Sequence, residues 1–151
     1  MTRKLFQVLI MAVISAMTPD AHSAEIDQTI LSYLLPDNVP WKPNAAGTNE
    51  THVLYGDPDK PGPYAVLLKW KAGYMSRPHY HPNDRHIVVL RGTWWVGAGP
   101  KYDPASTVPM PQGTYVLHYG KGIHYDGAKD GDTIIMLHGV GPATSTPAEQ
   151  K

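Results

Sequence analysis

The sequence of 151 residues contains no cysteine, which excludes disulfide bonds, thiolate metal ligands and a cysteine nucleophile. It also lacks an excess of charge, because 13 lysines and arginines balance 13 aspartates and glutamates. No basic stripe is present, so a nucleic-acid partner is not expected. Phosphate-binding loops, dinucleotide-binding glycine motifs, HExxH and GxSxG are absent as well. Any metal must therefore be held by histidine, carboxylates or water.

Phenylalanine occurs only once, whereas proline and glycine occur 15 and 14 times. This composition favours many turns and short strands over long helices. Hydrophobic residues make up 42% of the chain, which is enough for a core. The length corresponds to a single domain.

The N-terminus has the pattern of a secretory signal peptide over residues 1–24. Two basic residues precede an apolar run, Leu5 to Met17, and small residues follow at positions suited to cleavage after Ser23 or Ala24. The run is shorter than the roughly 20 residues of a membrane span, so no stable span is expected after processing. The pattern therefore predicts a periplasmic or secreted protein.

Apolar residues at helical spacing between Glu25 and Leu35 predict one short helix capped by Asp27, followed by an arm that ends near residue 50. From residue 51 to 147, strand-like runs alternate with turns. Seven strands are predicted: THVLY, YAVLLKW, RHIVVL, TWWVG, TYVLHY, IHY and DTIIMLHGV. A long polar loop separates the fourth from the fifth, and the tail after the seventh is predicted to be loose. No helix alternates with the strands, which predicts an all-β sandwich or barrel.

Three of the eight histidines lie within the ten residues RPHYHPNDRH. Side chains at i and i+2 of an extended segment leave the same face, and the flanking prolines favour an extended backbone. His79 and His81 can therefore aim at one point. His124, which follows the glycine turn GKGI, is the best candidate for a third ligand. Imidazoles of this kind bind Fe, Zn, Cu, Ni and, less readily, Mn.

The stretches GYMSRPHYHPNDRHIVVLRG and QGTYVLHYGKGIH resemble the two motifs of the cupin superfamily. The positions that match the first motif are Gly73, His79, His81 and Gly92; those that match the second are Gly113 and His124. The resemblance, which is closest to small single-domain bacterial cupins, covers roughly Leu35 to Pro147. It implies a double-stranded β-helix, which is a small jelly-roll barrel. It also implies a divalent metal ion held by His79, His81 and His124.

The sequence departs from the motif at Arg85, where cupins usually carry a glutamate ligand. A guanidinium stays protonated and cannot bind a metal. Three hypotheses are open. An anionic ligand bridges Arg85 and a metal held by three histidines; a register slip turns His86 inward as a fourth histidine ligand; or no metal binds and Arg85 pairs with a carboxylate such as Asp84.

Two classes of function follow from the resemblance. The first is a metal-dependent enzyme acting on a small anionic molecule, either as a dioxygenase or as an isomerase or lyase. Arg85 and Tyr125, the neighbour of His124, are then the candidate catalytic residues. The second is a non-catalytic binder or sensor of a metal or metabolite. His118 is predicted to be a packed or rim histidine; the alternative is that it reaches the cavity as a base or an additional ligand. By analogy with other cupins, a homodimer is expected, with the arm adding a strand to the partner.

Overall fold

The computed structural model describes residues 26–151, so the predicted signal peptide lies outside the described residues. Residues 26–34 form one hydrogen-bonded turn instead of the predicted helix. The N–H groups of Ile30 and Leu31 donate to the Asp27 carbonyl at 3.1 Å, and the Asp27 carboxylate accepts from Thr29. The helix prediction is wrong because a short isolated helix is marginal in water, and Pro36 follows closely.

Residues 35–151 form a compact unit of two antiparallel β-sheets. The strands are β1 Lys42–Pro43, β2 Asn49–Tyr55, β3 Gly62–Trp70, β4 His79–Tyr80, β5 Arg85–Arg91, β6 Thr93–Ala98, β7 Val108–Pro111, β8 Tyr115–His118, β9 His124–Gly127, β10 Thr133–Gly141 and β11 Thr146–Pro147. One sheet has the order β1-β2-β3-β10-β5-β8, and the other has the order β11-β4-β9-β6-β7. Two 3-10 helices, Pro36–Asn38 and Pro104–Ser106, lie in connections. The all-β prediction is confirmed.

All seven predicted strands form, and the structure adds four short ones. Strands β1, β7 and β11 each contain proline and each lie at the edge of a sheet. Proline cannot donate to a strand ladder, so it is confined to such edges, and a sequence pattern rich in proline is easily taken for a loop. Strand β7 lies within the predicted polar loop, and strand β11 lies within the tail that was predicted to be loose. The sequence analysis therefore missed one short strand in each of these segments. The arm places β1 against β2 of the same chain.

The core lies between the sheets and determines which side chains of β5 face inward. Leu137 and Ile135 of β10 lie opposite Ile87 and Val89 of β5, and all four are at most 4% exposed. Because side chains alternate along a strand, Arg85 shares the inner face with Ile87 and Val89. Within residues 26–151, no helix is long and apolar enough to cross a membrane.

A candidate metal centre between the sheets

Three histidines converge on the inner face of the five-stranded sheet. His79 of β4 lies directly opposite His124 of β9, and His81 follows β4 on the same side. The ring centroid of His79 lies 4.4 Å from that of His124 and 4.9 Å from that of His81. One ligand atom from each residue lies within 4.8 Å of the others. The structure therefore brings together the three histidines that the sequence singled out.

Each of the three imidazoles is oriented by a backbone carbonyl. The Nδ1 atoms of His79, His81 and His124 lie 2.8, 3.0 and 2.9 Å from the carbonyl oxygens of Arg77, Thr144 and Gly122, respectively. A carbonyl can only accept, so each Nδ1 donates its proton and each Nε2 keeps a lone pair. The Nε2 of His81 is buried and has no partner in the described chain. This arrangement of oriented, unprotonated Nε2 atoms fits a divalent metal ion.

The environment keeps the imidazoles of His81 and His124 uncharged. Burial, helped by the positive charge of Arg85, lowers the pKa of His81 to about 3. Burial also lowers the pKa of His124, against the opposing influence of the nearby Asp126 carboxylate. Neutral imidazole is the form that binds a metal, so the site is ready for an ion at neutral pH.

Arg85 points into the same cluster. Its Nη2 atom lies 3.3 Å from Nδ1 of His118 and 3.4 Å from Nε2 of His124, and it donates toward both. Its Nε atom is buried without a partner in the described chain. Burial lowers the pKa of Arg85, but a guanidinium keeps its charge in proteins. Asp84 does not pair with Arg85; its Oδ1 atom accepts the Gly120 N–H at 2.7 Å instead.

His86 lies on the opposite face of β5, outside the cluster. It is exposed, its Nδ1 atom lies 2.7 Å from the Tyr115 hydroxyl, and its ring centroid is 6.0 Å from that of His138 on β10. The pairing of β5 with β10 is regular at this point, with His86 opposite His138. The register slip that would turn His86 inward does not occur, so the four-histidine hypothesis is corrected.

Tyr125 also points away from the cluster. Its hydroxyl donates to the Asp103 carbonyl at 2.9 Å, on the other face of β9 from His124. Adjacent residues of a strand alternate between faces, so a neighbour of a ligand is directed away from it. The prediction of Tyr125 as a catalytic residue is therefore corrected.

Two inward residues were not assigned to the site from the sequence. The ring centroid of His118 lies 4.0 Å from that of His124, and burial lowers the pKa of His118 to about 2. Asp126 is 4% exposed, and its Oδ2 atom lies 3.7 Å from Nε2 of His124. The i, i+2 spacing that pointed to His79 and His81 also links His124 with Asp126, and this signal was available in the sequence.

A cavity of about 370 Å³ opens beside the histidines. Its walls include the apolar Leu68, Trp94 and Leu137, the cation Arg85 and the carboxylate Asp126. The arrangement combines a polar end, where the ring nitrogens meet, with an apolar body. Cavities of this kind bind small molecules that carry one polar group.

Residues 142–150, here called the C-terminal strap, border the mouth of the cavity. Thr146 and Pro147 pair with β4, and the Ala148 N–H donates to the Pro78 carbonyl at 2.9 Å. The Arg77 guanidinium pairs with Glu149. Because the Thr144 carbonyl orients His81, the strap is part of the support of a candidate ligand.

Deletion of residues 145–151 is expected to weaken metal binding by about 10- to 100-fold, which is the usual cost of losing a group that orients a histidine ligand. The Thr144 carbonyl loses the pairing that anchors it. The measurement is a titration of the metal-free protein with Zn²⁺ against a competing chelator. The matched control, Glu149→Gln, removes only the exposed ion pair with Arg77 and should change affinity by less than about threefold. Equal affinity in the truncated and full-length chains would contradict the role of Thr144.

Acidification is expected to destabilise the metal-free protein. The pKa values of His81 and His118 are about 3 and about 2 in the folded chain, whereas unfolded histidine titrates near about 6.5. Between these values the unfolded chain binds protons that the folded chain excludes, so the free energy of unfolding falls as the pH falls from about 6.5 toward about 3.

Urea unfolding at pH 7, 6, 5 and 4 measures this effect. His118→Leu should reduce the slope of the free energy of unfolding against pH by at most about 1.4 kcal/mol per pH unit. His86→Leu, which removes an exposed histidine from the same sheet, is the control. If the two variants had the same slope, the protonation of His118 would not contribute.

Comparisons with known proteins identify the architecture. The family model of the ChrR cupin-like domain matches residues 32–144, whereas no curated protein matches. The polyketide cyclase RemF from Streptomyces resistomycificus is 14% identical over 80% of this chain and 87% of its own, with a TM-score of 0.63.

Two further solved structures share the fold. A protein with a double-stranded β-helix domain from Klebsiella pneumoniae subsp. pneumoniae MGH 78578 is 16% identical, covers 80% of this chain and 100% of its own, and has a TM-score of 0.59. The DMSP lyase DddQ from Ruegeria pomeroyi DSS-3 is 15% identical, covers 74% and 64%, and has a TM-score of 0.57. At these identities the likeness shows the fold alone. It confirms the predicted double-stranded β-helix.

Proposed function

The chain belongs to the family of ChrR cupin-like domains, and on that premise we propose that it is a metal-dependent enzyme acting on a small anionic molecule. The observation that carries the proposal is the shared orientation of His79, His81 and His124. Each Nδ1 is hydrogen-bonded to a carbonyl, so each Nε2 carries a lone pair that a divalent ion can bind; without an ion, Arg85 approaches that of His124. When bound, the ion would act as a Lewis acid, with open positions for a substrate or oxygen. Its identity among Fe, Zn, Mn, Ni and Cu stays open.

The charge beside the histidines supports an anionic substrate. Arg85 points its guanidinium toward His124, and among residues 26–151 no carboxylate lies within 4 Å of it in an ion pair. A metal ion and a guanidinium on the same side of a cavity repel each other unless an anion lies between them. A carboxylate can accept two hydrogen bonds from a guanidinium and so can be held in a defined orientation. The role of Arg85 would be to bind and orient that anion.

The reaction class is proposed as oxygenation or as isomerisation or elimination. Solved proteins of the same fold include a polyketide cyclase and a DMSP lyase, so the fold supports chemistry on small molecules. Here, the Nδ1 atom of His118 accepts a hydrogen bond from Arg85. In the neutral imidazole of His118, the proton is therefore on Nε2. The apolar walls near Trp94 and Leu137 would exclude water around the substrate.

One observation favours a second candidate function, which is a non-catalytic binder or sensor of a metal or metabolite. Tyr125 donates to a backbone carbonyl outside the cavity. The remaining groups that could transfer a proton, His118 and Asp126, are both buried. A barrel of this kind can hold an anion on a metal without converting it.

The proposal includes export. The signal-peptide pattern of residues 1–24 supports export of the mature protein to the periplasm or out of the cell. Mass spectrometry of the protein from its native host tests this through the mass of the mature chain, which should begin at Ala24 or Glu25. A chain that still begins at Met1 would contradict export. The homodimer stays a prediction by analogy.

The decisive experiment combines metal analysis with turnover. Protein purified without a histidine tag is analysed by inductively coupled plasma mass spectrometry and then loaded separately with Fe²⁺, Zn²⁺, Mn²⁺, Ni²⁺ and Cu²⁺. Iron-loaded protein is assayed for oxygen uptake with aromatic and enediol acids. Each form is also incubated with hydroxy and keto carboxylates and followed by NMR. Turnover that is lost in His81→Ala supports the enzyme. Tight binding without turnover supports the binder. No metal in any form overturns the enzyme and the metal binder, and leaves only a metabolite binder.

A further inference from the structure

Asp126 occupies an unusual position for a carboxylate. It is 4% exposed and lies two residues after His124 on β9, so both side chains leave the same inner face. Its backbone is fixed at both ends, because its N–H donates to the Ser76 hydroxyl at 2.9 Å and its carbonyl accepts the Ser76 N–H at 2.7 Å. The carboxylate is therefore held beside the histidines.

The two oxygens of this carboxylate are bonded differently. Oδ1 accepts the indole N–H of Trp94 at 3.3 Å. For Oδ2, the described chain provides no hydrogen-bond donor, and its neighbour is Nε2 of His124 at 3.7 Å. A carboxylate that is 4% exposed, with one long hydrogen bond and no charged partner within 4 Å, costs free energy to bury.

The neighbour of Oδ2 increases this cost. The Nδ1 proton of His124 is donated to the Gly122 carbonyl, so Nε2 is unprotonated; the Arg85 Nη2 atom approaches it at 3.4 Å and the Oδ2 atom at 3.7 Å. Nε2 and Oδ2 are both electron-rich acceptors, so they repel each other unless a cation or a proton lies between them. A metal ion bound by both atoms would remove the repulsion and supply the positive charge that is missing beside the carboxylate.

We propose that Asp126 of β9 is a fourth metal ligand. It takes the role of the glutamate ligand that cupins usually carry at the position of Arg85. The inference rests on the proposed metal site. Metal–nitrogen and metal–oxygen bonds of about 2.0–2.2 Å place neighbouring ligand atoms about 3–3.5 Å apart, so a small rotation of the Asp126 side chain is sufficient. In this arrangement the acidic ligand lies on β9 instead of β5, and the position on β5 where the glutamate would be is occupied by the guanidinium of Arg85.

This assignment keeps the substrate class of the proposed function. A divalent ion, one carboxylate and one guanidinium together leave a net charge of about +2 in the site. Asp126 and Arg85 both approach Nε2 of His124, at 3.7 and 3.4 Å, and Arg85 also contacts Nδ1 of His118. An anion between the metal and Arg85 is still favoured.

The test uses Asp126→Asn, which preserves shape and can still accept the Trp94 N–H but removes the charge. The metal-free variant should fold normally. Its affinity for Zn²⁺ and Co²⁺ should fall by at least about 10- to 100-fold, and the visible absorption of the Co²⁺-loaded protein should change in position and intensity because a ligand is lost. Trp94→Phe is the matched control. It breaks the hydrogen bond but keeps the carboxylate, so the Co²⁺ spectrum should be retained.

A role for Asp126 limited to holding Trp94 gives the opposite pattern. Asp126→Asn would then keep the affinity and the Co²⁺ spectrum of the original protein, and this result overturns the inference while leaving the three-histidine site intact. Failure of the proposed function looks different. In that case the unmodified protein binds neither Co²⁺ nor Zn²⁺, and both proposals fall together.

Discussion

The double variant His79→Ala/His124→Ala is expected to retain less than about a tenth of the metal bound by the unmodified protein, because each lost imidazole removes one of the few bonds that hold the ion. The two rings lie directly opposite each other on β4 and β9, with centroids 4.4 Å apart. Their removal leaves His81 and Asp126, which cannot enclose an ion. Metal content after dialysis, measured by mass spectrometry, gives the answer.

The chain offers a matched control for this experiment. His86 and His138 also lie opposite each other on neighbouring strands, and both are exposed on the outer face of the other sheet. His86→Ala/His138→Ala should therefore keep the tightly bound metal. Equal loss in both double variants would show that the protein binds metal through surface histidines, and the interior site would be wrong.

Arg85→Met is expected to change ligand binding and stability in opposite directions. In the metal-loaded protein, affinity for benzoate should fall by about 10- to 100-fold, because a charge-assisted hydrogen bond contributes about 1.5–3 kcal/mol. In the metal-free protein, the free energy of unfolding should rise by about 1 kcal/mol, because a partly buried cation without an ion-pair partner is replaced by an apolar side chain of similar length.

Calorimetric titration with benzoate and urea unfolding measure the two effects. Arg91→Met, at the exposed end of the same strand, is the control. It should change the affinity for benzoate by less than about twofold and the free energy of unfolding by less than about 0.5 kcal/mol. Loss of stability in Arg85→Met would assign Arg85 to holding the barrel together. A gain of stability with unchanged benzoate affinity would separate Arg85 from the ligand.

The central strands were predictable because their signal is local. Runs such as RHIVVL and DTIIMLHGV combine β-branched residues with flanking turns, and the structure confirms them as β5 and β10. The edge strands β7 and β11 depend on pairing with distant partners and contain proline, so no local signal marks them. The expected helix near Asp27 failed for the converse reason, since its spacing pattern needs packing that a single turn does not provide.

The site shows the same division between local and distant information. His79 and His81 could be predicted as a pair because two residues of one extended segment share a face. The orientation of Arg85 and His86 depends on the register of β5 against β10, and both faces of β5 are apolar, so the sequence left the two alternatives open. The direction of Tyr125 follows from strand alternation, which is a rule that the sequence analysis could have applied to the neighbour of His124.

The proline-containing edge strands bear on self-association. The two sheets end on β1, β8, β7 and β11, and only β8, with the sequence YVLH, has an N–H on every residue. Unprotected edges recruit strands from other chains, whereas proline interrupts the row of donors. In the described part of the chain, intermolecular strand addition and fibril growth are thus restricted to one edge of four residues. Successive N–H groups of a strand point to opposite edges, and the register of β8 against β5 directs the Leu117 N–H outward. The single substitution Leu117→Pro would therefore block that edge as well.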